Sequence, residues 1–97
     1  MTLLEAAPSE AELLAFVDQA VRGVQESGGE PRFVVAGPVA YERLQRAVAE
    51  RFGRDVQHLE QVQWLTVVLD PGRGDRITVL PPPREAADGA RLEHLDR

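Results

Sequence analysis

The run Arg32-Phe33-Val34-Val35-Ala36-Gly37-Pro38-Val39-Ala40-Tyr41-Glu42-Arg43-Leu44 constrains the fold more than any other stretch of the sequence. Phe33 to Ala36 is continuously apolar, the pattern of a strand buried on both faces. Gly37-Pro38 then stops the ladder, because proline has no amide to donate. Proline at the first helical position also pre-sets φ for a helix. Tyr41, Leu44, Val48 and Phe52 recur at helical spacing, with Ala40 and Ala47 beside them. They predict a helix over 38–52 that ends at Gly53. Leu44 and Val48 are expected under the sheet, against Phe33 or Val35.

Upstream, Ser9-Glu10-Ala11-Glu12 has the form of a capping box, with the Ser9 hydroxyl accepting the amide of Glu12. The helix it opens reaches about Ser27. Leu13, Val17, Ala20, Val21 and Val24 form its apolar stripe, widened by Leu14 and Phe16. Gly28-Gly29 accepts the left-handed backbone that ends a helix. Downstream, 56–59 is a short candidate strand. Residues 62–69 alternate and predict a longer strand, with Val62, Trp64, Thr66 and Val68 on one face. Asp70-Pro71-Gly72-Arg73-Gly74-Asp75 is turn chemistry. Ile77 to Leu80 then returns as a second arm, giving a hairpin that pairs 62–69 with 76–80. Pro81-Pro82-Pro83 closes the sheet.

Residues 1–8 read as a lead-in, and 83–97 as a weakly held charged tail or a short helix around 90–95. The expectation is one small α+β domain over 1–97, with its core at about 9–82. The predicted order is α-β-α-β-β-β, a sheet built mostly from a hairpin and flanked by two helices.

The bulk numbers narrow the class. A chain of 97 residues fits one domain. There is no cysteine, hence no disulfide and no thiolate metal site. No 18-residue apolar run suggests a membrane span, and Met1 to Glu5 lacks the basic start of a secretory signal. All eleven basic residues are arginine, which codon bias in a high-GC genome explains. The net charge of −5 matches nucleic acid and anionic membranes poorly and suits a protein partner. A reducing cytoplasm is the expected setting.

The strand, Gly37-Pro38, and a helix with Tyr41 and Leu44 resemble an element in the A-domain of encapsulin shell proteins, which share the tailed-phage capsid fold. The order continues through Gly53, then Val56-Gln57-His58-Leu59, then 62–80. The resemblance covers about residues 32–82. It looks like the isolated A-domain of the short A-domain group of encapsulin-related proteins, without the spine helix, E-loop or N-terminal arm of a full shell subunit. It implies a self-associating, non-enzymatic structural protein, a homo-oligomer with a metabolic enzyme as cargo or partner. It also implies that the loop from Asp70 to Arg76 approaches a symmetry axis.

Read from the residues alone, the chemistry is sparse. Gly37-Pro38 suits a tight strand-to-helix turn better than an anion nest, since Pro38 removes a donor. His58 and Glu60 have a spacing that can chelate zinc, but no third ligand is evident, and His94 falls in the tail. Asp70, Asp75 and Arg76 match no calcium loop and have no nucleophile or base beside them. Ser9 and Ser27 are explained by helix ends, and no Gly-x-Ser-x-Gly elbow exists. No cofactor, metal site or catalytic residue is therefore expected. Arg43, Arg46, Arg51 and Arg54 lie on the polar side of the second helix, where Glu42–Arg46 and Glu50–Arg54 pairs are available. Trp64, Asp70, Arg73, Asp75 and Arg76 are the candidate interface residues. The alternatives are a small accessory subunit that binds one enzyme without building a shell, and a ligand-binding or catalytic domain that uses the Gly37 turn.

Overall fold

The computed structural model describes residues 2–53, 58–82 and 91–95. The elements are β1 (Thr2–Ala6), α1 (Glu10–Glu26), β2 (Phe33–Ala36), α2 (Pro38–Phe52), β3 (Gln61–Val62), β4 (Leu65–Leu69), a 3-10 turn (Pro71–Arg73), β5 (Ile77–Leu80) and β6 (Arg91–His94). Six strands form one mixed sheet in the order β3-β4-β2-β5-β1-β6. The α+β class, the two helices and the strand before Gly37 stand as the sequence predicts.

Both α1 and α2 lie on one face of the sheet. β1 and β2 each run antiparallel to β5, so they are parallel to one another, and β2 is parallel to β4. The chain thus makes two crossovers, β1 to β2 and β2 to β4, in the same direction across the sheet. Crossovers of a common hand place both helices on the same side, where they pack on each other. α1 covers β1 and β5, and α2 covers β2. Leu13, Phe16, Val17, Ala20 and Val24 of α1 meet Ala40, Leu44 and Val48 of α2 in a single core with Val34, Ala36, Leu65, Ile77 and Val79. Val34, and neither Phe33 nor Val35, belongs to the core that holds Leu44 and Val48. A two-residue side-chain period sends Val34 and Ala36 to the helices and their neighbours to the other face.

The helix ends follow the sequence signals with one change. Gly29 donates to the Val24 carbonyl and Gly28 to that of Gln25, with φ at Gly28 of 86°, which is a Schellman stop. At the other end the Ser9 hydroxyl donates to the Glu12 carboxylate, 3.1 Å away, and caps no amide. Phe52, placed on the apolar stripe of α2 by its spacing, is 63% exposed.

The strand pairing departs from the expected hairpin. β4 and β5 do not pair with each other, because β2 lies between them and bonds to both. A strand that is apolar on both faces is best satisfied in the centre of a sheet, with both edges paired. The 70–76 connection accordingly spans two strand spacings, roughly 10 Å, and not one. The hairpin that does form is short, β3 with β4, and Gln63 and Trp64 make its turn. Gln63 has φ of 56°, the positive value that tight hairpin turns need. Trp64 is thus a corner residue and not a mid-strand one.

Two further strands come from segments expected to lie outside the core. Residues 2–6 form β1, between β5 and β6, and residues 91–94 form β6, parallel to β1. Leu3-Leu4 and Ala6 are apolar enough for a strand but too few to show a period, so lead-in and strand look alike in sequence. The 56–59 candidate falls partly outside the described residues, and His58 and Leu59 belong to no strand.

Leu44 is fully buried between the helices and the sheet. Leu44→Ala is expected to lower the unfolding free energy by about 3 kcal/mol, the cost of a truncated core leucine. A chemical denaturation curve measures it.

Candidate functional site

The buried polar side chains among the described residues, Glu5 and Thr78, lie near where β1, β2, β4 and β6 end, beside the connection 70–76. Three backbone hydrogen bonds dock this loop on the start of α2. The Gly74 carbonyl accepts from Val39 (3.0 Å) and Ala40 (3.4 Å), and Gly37 donates to the Arg76 carbonyl (2.9 Å). A Cβ on Gly37 would stand 2.2 Å from the Gly74 oxygen and 2.4 Å from its nitrogen. The glycine is needed here for close approach, not for its dihedrals, since φ is an ordinary −70°. The amides that could cradle an anion at this helix start are thus occupied by Gly74, and Pro38 offers none.

The loop also neutralises a buried charge. Glu5, on β1, is 3% exposed. Its carboxylate accepts from Arg73 Nη1 at 2.5 Å and Arg76 Nη1 at 3.3 Å, and His94 Nδ1 lies 3.8 Å away. A buried carboxylate needs such partners to offset its lost hydration. Beside it, buried Thr78 donates its hydroxyl to the Leu4 carbonyl at 2.6 Å. Arg73 Nε binds Asp70 Oδ2 at 2.9 Å, and Asp70 also accepts from the Gly72 amide at 3.0 Å. The Gly72 amide first, and then the Arg73 guanidinium, hold the Asp70 carboxyl below the ordinary range against some desolvation. Glu5 was not among the candidate residues. Its signal was a lone acid in the apolar run Leu3-Leu4-Glu5-Ala6, legible only once that run is known to be a strand.

The other candidates fall as follows. Arg73 is 22% exposed at its side chain and Arg76 43%, both bound to Glu5 and not free as solvated turn charges. Asp75 is exposed on the loop, and Trp64 is 57% exposed at the β3–β4 turn. His58 pairs with Glu60 at 3.4 Å, both largely in solvent. Among the described residues no group of three or more His, Asp or Glu side chains could hold a metal ion. Arg46 binds Glu10 of α1 at 2.5 Å rather than Glu42, and Arg43 donates to the Pro8 carbonyl at 3.2 Å, so α2 is tied to α1 by the first and to the segment before α1 by the second. Arg54 lies outside the described residues. Tyr41 fixes the segment before β3: its hydroxyl accepts from the Leu59 amide at 3.0 Å and faces the Leu59 carbonyl at 3.4 Å.

An open groove of about 610 Å³ runs between α1, the end of α2 and β3, over Leu14, Val48, Leu59 and Val62. Among the described residues no helix is long and apolar enough to cross a membrane. The chain matches no protein-family model, no curated protein and no solved structure.

Two outcomes follow from the loop. Gly37→Ala is expected to cost about 3 kcal/mol or more, because three backbone atoms of the loop would have to move; thermal and denaturant melts of the variant check this. Asp70 stabilises the fold above its ordinary pKa, and that contribution disappears as pH falls through its lowered folded-state value. Asp70→Asn should therefore be less stable than the parent near neutrality, with the difference closing in acid when both are melted across pH.

Proposed function

We propose that this chain is a non-enzymatic structural protein of the cytoplasm that associates with copies of itself. In this reading it is an encapsulin-related A-domain that scaffolds or encloses a metabolic enzyme. One observation carries the association. Among the described residues the large apolar side chains left exposed are Val39, Phe52, Trp64, Val68 and Leu69. All five sit on α2, on β4 or at the β3–β4 turn, the half of the molecule opposite β1 and β6. Trp64 and Val68, exposed on the β3–β4 hairpin, have the composition of an interface core, and Val68 lies on the sheet face turned away from the helices.

The same geometry shifts the emphasis within the loop. Arg73 and Arg76 are engaged by Glu5, so loop charges contribute little to contacts between copies, and exposed pairs are worth under about 1 kcal/mol in any case. Trp64 and Val68 are the anchors in this reading, and Asp70 and Asp75 supply a polar rim.

Native mass spectrometry and light scattering across protein concentration test the reading. An oligomer is expected, and the double variant Trp64→Ser, Val68→Ser should dissociate it with little change in melting temperature, since both side chains are exposed. A wild-type chain that stays monomeric at high concentration and low salt overturns it.

A further inference from the structure

The groove above Leu14 continues along the seam between the two helices. A second hollow, of about 460 Å³, is lined by Ala11, Ala15, Ala47 and Glu50 and shares Leu14, Asp18 and Arg51 with the first. Together they make one trough on the outer side of the helical layer. We propose that this trough binds a basic amphipathic helix of a partner protein.

Three features select that occupant. Leu14, Val48, Leu59 and Val62 give the first hollow an apolar strip beside two packed helices, so a third helix can lay a row of side chains along it. Ala11 and Ala15, one turn apart on α1 and both exposed, let a helix backbone come close. The rim carries Glu10, Asp18, Glu50 and Glu60 against Arg51, and the whole chain has a net charge of −5. Glu10 is paired with Arg46 and Glu60 with His58, so Asp18 and Glu50 carry the rest of the rim's acidity. Charge complementarity of this kind favours a positively charged segment and disfavours an acidic one. At the open end, Phe52, 63% exposed, would be covered by the same segment. The trough is separate from Trp64 and Val68, so the inference does not depend on self-association.

The test uses a labelled synthetic peptide of about 18 residues with leucines at i, i+3, i+4 and i+7 and arginines on the other face, long enough to be helical when bound. Its twin carries glutamates for the arginines. Fluorescence anisotropy with the full chain should show saturable binding of the arginine peptide, weakened by salt, and none of the glutamate twin. Ala15→Trp fills the trough without altering its charge, and should reduce affinity about tenfold or more with the melting temperature unchanged. Ala11→Trp serves in its place if that variant is unstable. Asp18→Asn with Glu60→Gln removes two rim charges and should weaken binding about tenfold. The Trp64→Ser, Val68→Ser variant should bind as the parent does. No binding of the arginine peptide, equal binding of its twin, or indifference to both tryptophan variants would each overturn the proposal.

Discussion

The contact between Gly37 and Gly74 is the constraint on which the rest of the fold depends. Two stretches of backbone meet here with no room for a side chain between them. That meeting lets the Gly74 carbonyl cap α2, which in turn fixes where α2 leaves β2 and how it lies on the sheet. It also holds the 70–76 loop across the end of β2, so that the chain leaves β4 on one side of that strand and enters β5 on the other. Arg73 and Arg76 reach Glu5 only because the loop is held in this place. One close approach thus sets helix direction, strand order and the neutralisation of a buried acid.

Most local signals in the sequence hold, the Ser9 capping box excepted, and long-range ones do not. Helix α1 was legible from its stripe and its Gly28-Gly29 stop, and α2 from Pro38 and Gly53, because these depend on neighbours within a turn or two. The strand at 33–36 was legible for the same reason. Pairing was not, since it depends on which edges remain unsatisfied after the helices dock. Turn-rich residues between two apolar runs suit a hairpin and a crossover over a central strand equally well. β1 was missed because five residues are too few to carry a period, and Glu5 was missed with it. The environment of Trp64 turned on a single two-residue turn at 63–64, which converts an apparent mid-strand residue into a corner.

The two halves of the sheet are finished in different ways. Toward β1 the polar groups are satisfied internally: Glu5 by arginines, Thr78 by the Leu4 carbonyl, the helix start by Gly74. Toward β4 the surface keeps apolar side chains in water, among them Leu69, 50% exposed. The edge strand β3 pairs only with Leu65 and Thr66 of β4. Among the described residues the rest of β4, with Val68 and Leu69 exposed and no lysine or proline, therefore has no strand on that side and is weakly protected against pairing. A small domain that retains such a surface gains from covering it.

The distances in sequence between these partners bear on how the molecule assembles itself. Glu5 and Arg76 are separated by 71 residues, whereas β2, α2 and β4 are close in the chain and form a nearly local unit. Loop closure favours the local unit first. In that order β1 is a late arrival. Until it docks, Glu5 stays hydrated, Arg73 keeps Asp70 but lacks Glu5, Arg76 lacks Glu5 as well, and one edge of β5 is open. Ion pairing with Glu5 then acts as a latch: it forms only when the first strand and the 70–76 loop are both in place, and so reports a late stage of the fold rather than its beginning.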